Sequence, residues 1–188
     1  KYAAMGGLRS TAQMISYELA MGLALVAVLI ATGTPQMDRI VNEGRWLVFP
    51  QFVAFVIFFL AMIAETNRAP FDLVEAEQEL VAGFHTEYAS FKFALFYMAE
   101  YVNMITFSSL AVCLFFGGWH GPGAGSATWW GPLLGLGYFL AKTFVFMFVY
   151  VWIRATLPRI RYDRLMALGW KVLLPTALVW VVITATWV

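Results

Sequence analysis

Five stretches of this chain are each apolar for about the 20 residues that an α-helix needs to cross the ~30 Å hydrocarbon core of a bilayer. They fall at residues 12–32, 46–64, 91–116, 132–153 and 165–187. Composition agrees, since 62% of residues are hydrophobic and 12% charged, against roughly 45–50% and about 25% in soluble domains. The expectation is an all-α, polytopic membrane protein with five transmembrane helices in one membrane domain covering 1–188. Pro50 falls in the first turn of the second span, where its missing N–H does no harm, whereas Pro175 sits inside the fifth and should bend it. No strand-like alternation or internal repeat competes with this reading. The chain opens on Lys1 with no Met and no basic-then-apolar leader, so it is expected to begin inside a longer protein.

Basic residues orient the spans, because the side that is not translocated keeps them. Lys1, Arg9, Arg68, Lys92, Arg154, Arg159, Arg161 and Arg164 all fall on one side, which is read as inside. The opposite loops hold Arg39 and Arg45, and residues 117–131 carry no Lys or Arg but offer Trp119, Trp129 and Trp130. That side is read as outside, with tryptophans at the membrane interface and His120 as an exposed polar residue.

The inner side also receives a dense acidic segment, residues 65–90, which holds six of the eleven acidic residues. Pro70 should stop the preceding helix, Asp72 can act as N-cap, and Glu75 three residues later can close a capping box. A short helix over residues 73–82, ended by Gly83, is expected to follow. Glu75 and Glu79 lie at i,i+4 without a lysine to offset them, a mildly unfavourable pair. An acidic, solvated face accounts for such a helix on its own. Three features point further: an apolar side formed by Leu73, Leu80, Val81 and Phe84, the pair Glu65 and Arg68 at the membrane boundary, and four arginines after the fourth span on the same side. Acidic and basic loops facing each other at a membrane surface suggest a polar cavity or a partner interface.

Ionisable residues inside spans form a second constellation, because a charge near the middle of a membrane helix costs about 2.5–3.5 kcal/mol and normally faces a protein interior. Glu18 lies about two turns into the first span, Glu65 at the inner end of the second, Glu100 roughly 15 Å into the third, and Lys142 near the middle of the fourth. A Glu100–Lys142 ion pair that only holds helices together is one reading of the deepest two. Glu18, Glu65 and Glu87 have no matching buried cation, and a file of carboxylates leading inward from one face is what a proton relay requires. Phe96 and Tyr97 lie within one turn of Glu100 and could form an aromatic wall for a quinone. The spacing Gly131-x-x-x-Gly135 permits close helix packing. A single cysteine, Cys113, excludes an internal disulfide and any multi-cysteine metal site in this chain, and no phosphate-cradling or dinucleotide motif is present.

The run from Ala64 to Tyr88, containing Glu65-Thr66-Asn67-Arg68-Ala69-Pro70-Phe71-Asp72, closely resembles the H-type membrane subunit of respiratory complex I, NADH-quinone oxidoreductase. The stretches Ala12-Gln13-Met14-Ile15-Ser16-Tyr17-Glu18, Phe96-Tyr97-Met98-Ala99-Glu100-Tyr101 and Trp152 to Met166 agree with it, and the resemblance covers the whole chain. It implies eight membrane helices in the full subunit, of which the five here would be the last. It also implies a place at the heel of a membrane arm, where inner-side loops meet the iron–sulfur peripheral arm to form a quinone chamber.

Carried over by position, Arg68, Asp72, Glu75, Glu77 and Glu79 would shape the chamber floor, with Arg154 and Arg159 opposite and Phe96 and Tyr97 toward the quinone. Glu18, Glu65, Glu87 and Glu100, with Lys142 placed beside them on depth alone, would form the proton path to antiporter-like and small membrane-arm subunits. The bound substrate would be ubiquinone or menaquinone, while FMN and iron–sulfur clusters would reside only in partner subunits. No metal site or nucleic-acid partner is implied. The expected setting is a bacterial plasma membrane, ahead of the mitochondrial inner membrane. Two alternatives stand beside this reading: the membrane subunit of an energy-converting hydrogenase, and a free-standing secondary transporter using Glu100 and Lys142 as an ion site.

Overall fold

In the computed structural model, residues 2–66, 70–71, 91–124, 129–158 and 160–187 are described, and among them every regular element is a helix. The order is α1 (Tyr2–Thr32), α2 (Met37–Asn42), α3 (Phe52–Glu65), α4 (Phe91–Phe115), α5 (Gly131–Thr156), α6 (Tyr162–Leu168), a π-helical turn (Gly169–Leu173) and α7 (Leu174–Trp187). Four helical stretches are long and apolar enough to cross a membrane: Ala4–Thr32, Phe91–Phe115, Gly131–Thr156 and the continuous Tyr162–Trp187. Large apolar side chains such as Leu140, Phe144, Phe148 and Val151 on α5 are exposed, as expected where the surrounding solvent is lipid. The chain is a polytopic membrane protein.

α3 is shorter than the apolar run that contains it, because Leu47–Gln51 forms a turn ahead of it. Gln51 N–H returns to the Leu47 carbonyl at 2.9 Å, while Val48 N–H is given to the Phe115 carbonyl of α4 at 3.1 Å. Pro50 therefore stands before the helix rather than in its first turn, and the turn uses its free N–H groups to cap a neighbour.

α1, α3 and α7 pack through small side chains. Ala20, Ala24 and Ala27 fall on one face of α1, and with Ala54 and Ala61 of α3 and Ala177 of α7 they are almost wholly buried. Lipid tails are as apolar as the helices, so close approach over alanines supplies the dispersion contacts that hold membrane helices together. A second cluster is aromatic: Phe55 meets Phe115, Phe116 and Phe146 edge-on, with ring centroids 5.3, 5.5 and 6.3 Å apart.

The long last helix departs from α geometry at Gly169–Leu173, just before Pro175. Proline cannot donate to the carbonyl four residues back and its ring crowds that carbonyl. Widening one turn, with Leu174 N–H bonded to the Gly169 carbonyl, accommodates the proline without ending the helix.

Candidate functional site

At the basic end of the bundle, polar side chains on α1 organise the end of α3 and the start of the acidic segment. Gln13 is fully buried, and its Nε2 donates to the carbonyls of Ala64 at 2.7 Å and Phe71 at 3.1 Å. Those two acceptors fix which way the amide points, so Oε1 faces away from them, buried and without a hydrogen-bond partner among the described residues. Thr66 folds its hydroxyl back onto the carbonyls of Met62 and Ile63, both at 3.1 Å, and closes the last turn of α3. Tyr150 of α5 donates to the Met62 carbonyl at 3.4 Å.

Other bonds hold the entrance to the acidic segment from outside α3. Phe71 is buried against the ring of Tyr17, centroids 6.1 Å apart, and Ile160 N–H donates to the Pro70 carbonyl at 3.0 Å. Tyr17 in turn gives its hydroxyl proton to the Leu165 carbonyl at 2.9 Å, and Trp170 Nε1 donates to Ser16 Oγ at 3.0 Å. Residues 70–71 are thus anchored to α1 and to the turn between α5 and α6.

Within this frame Glu65 is half-buried, and its Oε2 is a second buried acceptor with no hydrogen-bond partner among the described residues. Glu18 lies close enough to interact electrostatically with it, although its own side chain is exposed in this chain. Glu100 is half-buried on α4. Phe96 is exposed, and Tyr97 packs its ring 4.7 Å from that of Phe93. Arg154 is exposed and lines a small cavity of about 90 Å³ with Tyr101, Met104, Tyr150 and Val151. Arg68, Asp72, Glu75, Glu77, Glu79, Glu87 and Arg159, with the helix expected over residues 73–82, lie outside the described residues.

Lys142 belongs to the other end of the bundle. Its three N–H donors go to the carbonyls of Phe116, Gly118 and His120 at 2.9, 2.9 and 2.8 Å, and its ammonium lies 5.6 Å from the centre of the Trp46 ring. Phe116 is 16 residues beyond Glu100 in sequence, about 24 Å along a helix axis. The deep ion pair considered from the sequence is therefore not formed; the cation instead stabilises the carbonyl-rich C-terminal end of α4. The loop it holds is tight: Phe116 and Gly118 N–H both return to the Val112 carbonyl, and Gly118 sits at φ +51°, where a Cβ would come within 2.7 Å of Val41. His120 is half-buried in this loop rather than exposed, its ring against Gly44 and Trp119. The nearest neighbour of Gly135 is Trp119 of the same loop.

Sequence reasoning that considered only ionisable groups passed over Gln13 and Tyr150. A signal was present, since Gln13 is a strongly polar side chain inside an apolar span, but its partners are backbone carbonyls and have no sequence signature.

A family model described as NADH dehydrogenase matches residues 1–185. A curated relative, the H-type NADH-quinone oxidoreductase subunit from Protochlamydia amoebophila (strain UWE25), is 51% identical over 187 residues, which cover 98% of this chain and 55% of the relative. The chain thus spans about half the length of the curated relative it matches. With the family match running almost from end to end, the chain belongs to the NADH dehydrogenase family, as a homologue of the H-type subunit of NADH-quinone oxidoreductase.

Proposed function

We propose that this chain is part of a proton-translocating NADH-quinone oxidoreductase, where its basic end helps to form the quinone chamber and its buried carboxylates couple quinone reduction to proton movement. The observation that carries the reading is Glu65: a carboxylate at the last residue of an apolar helix, with one oxygen buried and unpartnered among the described residues, interacting with Glu18 and next to the backbone that Gln13 holds. A fixed structural ion would have its lone pairs satisfied. A carboxylate left with acceptor capacity can take up and release a proton as its surroundings change.

In this reading the chain carries no redox step of its own. Electrons come from iron–sulfur subunits docked on the basic side, and the quinone, ubiquinone or menaquinone, enters a chamber whose floor is the acidic segment. Arg68, Asp72, Glu75, Glu77 and Glu79 shape that floor, Arg154 and Arg159 face it, and Phe96 and Tyr97 offer aromatic surface to the ring. Reduction of the quinone creates charge and a demand for protons, which shifts the protonation of Glu65, Glu18, Glu87 and Glu100 and is passed to antiporter-like and small membrane-arm subunits. Lys142, saturated by three carbonyls, acts as a structural anchor for α4. The setting is the bacterial plasma membrane.

A quinone analogue bearing a photoreactive group tests the proposal in the intact complex. Label is expected in peptides spanning residues 65–101. Absence of label there at saturating analogue overturns the quinone-chamber reading and favours the membrane subunit of an energy-converting hydrogenase.

A further inference from the structure

At the tryptophan-rich end, away from the acidic segment, a cavity of about 460 Å³ opens between the end of α1, the turn before α3 and the end of α7. Its floor is polar but occupied. Gln51 is 5% exposed, accepts the Trp180 Nε1 proton at 2.6 Å and donates to Thr184 Oγ1 at 3.5 Å. Its walls include the apolar side chains of Ala31, Leu47 and Ile183, and no acidic residue lines it among the described residues.

The remaining polar side chains on the lining are all donors: the Arg45 guanidinium and the indole N–H groups of Trp46 and Trp187. Arg45 is exposed, and none of these three donors has a hydrogen-bond or ion-pair partner among the described residues. Donors without acceptors, one of them charged, stand over an apolar wall at the helix ends where tryptophans mark the membrane interface. A ligand that matches all of this carries an anionic head rich in acceptor oxygens and an apolar body. A free anion leaves the walls unused. A zwitterionic lipid brings a cation that Arg45 repels and that no carboxylate among the described lining residues receives.

We propose that this cavity is a binding site for an anionic phospholipid, with the phosphate at Arg45 and the indole N–H groups and the upper acyl chains along Ala31, Leu47 and Ile183. A lipid seated there bridges α1, the turn before α3 and α7 at the end opposite the acidic segment.

Native mass spectrometry of the full-length protein in detergent tests this, with phosphatidylglycerol and phosphatidylcholine of identical acyl chains supplied at equal concentration. Phosphatidylglycerol is expected to be retained about fivefold better, the size of effect one basic residue has on binding to an anionic surface. Arg45→Gln should abolish that preference, and Arg39→Gln, which removes a charge from the same end but outside the cavity, should leave it intact. Equal retention of the two lipids by the parent protein overturns the proposal, as does a preference that survives Arg45→Gln. An equal loss in Arg39→Gln, or displacement of the lipid by inorganic phosphate alone, overturns it as well by assigning the effect to diffuse charge or to a simple anion site. Should Arg45→Gln fail to accumulate, Trp187→Phe carries the test at the exposed end of α7: reduced phosphatidylglycerol retention supports the site, and unchanged retention overturns it.

Discussion

The two ends of this helix bundle treat their buried charge in opposite ways. At the tryptophan-rich end a cation, Lys142, spends all three donors on loop carbonyls and rests beside the Trp46 ring. At the basic end an acid, Glu65, keeps a buried oxygen unpartnered among the described residues, and the neighbouring Gln13 keeps its amide oxygen in the same condition. Satisfaction is incomplete at the first end too, where His120 Nδ1 is also buried without a partner among the described residues. The difference lies in the charged groups. An ion whose hydrogen bonds are saturated by backbone holds a shape, whereas one with spare acceptor capacity beside another carboxylate can change its protonation without tearing the fold.

Replacing each charge by a neutral side chain of similar size tests that contrast. Lys142→Met removes three charge-assisted bonds at once and leaves three loop carbonyls to find other donors, for an expected loss of about 3 kcal/mol. Thermal unfolding in detergent reads this as a lower midpoint, and an unchanged midpoint would dissolve the distinction between the ends. Glu65→Gln should do the reverse. The complex assembles with near-parental stability, while quinone-coupled proton pumping in reconstituted vesicles falls by about 10², the lower range of what a positioned proton-transfer group supplies. Parental pumping rates would take Glu65 out of the path. The smallest effect is expected at Gln13→Met, which keeps the volume but strips the Ala64 and Phe71 carbonyls of a donor, for about 2 kcal/mol. Faster amide hydrogen exchange confined to the last turn of α3 and the residues after it would locate that loss at the basic end. A loss spread evenly over the bundle would argue against Gln13 as a local tie.

The helical architecture was legible because its cause is local: long apolar runs have few other ways to satisfy their backbone in lipid. Helix ends were less so. The turn over Leu47–Gln51 exists because Val48 N–H reaches the end of α4, a contact between segments far apart in sequence. Lys142 misled for the same reason. Its depth in the fourth apolar run suggested a partner among the buried acids, yet its acceptors are carbonyls of a loop 22–26 residues earlier, and backbone acceptors leave no mark in a sequence. At Pro175, where a bend was expected, the helix shows a widened turn ahead of the proline. In the candidate site, Glu65 and Glu18 were visible as unmatched acids, but Gln13 was hidden among apolar neighbours. The alanine face of α1 and α3 went unread as well, because small residues look unremarkable until a second helix lies against them.

The widened turn at Gly169–Leu173 also sets a phase. A π turn takes one more residue per hydrogen-bonded loop than an α turn, so every side chain beyond it is rotated by roughly 100° from where an unbroken α-helix would carry it. Trp170 meets Ser16 near the start of that turn and Trp180 meets Gln51 beyond it. One continuous helix is thereby keyed to α1 near one end and to the turn before α3 at the other, on faces that a uniform helical pitch would not align. Deleting a single residue within the turn would keep the hydropathy of the span and put its two ends out of step.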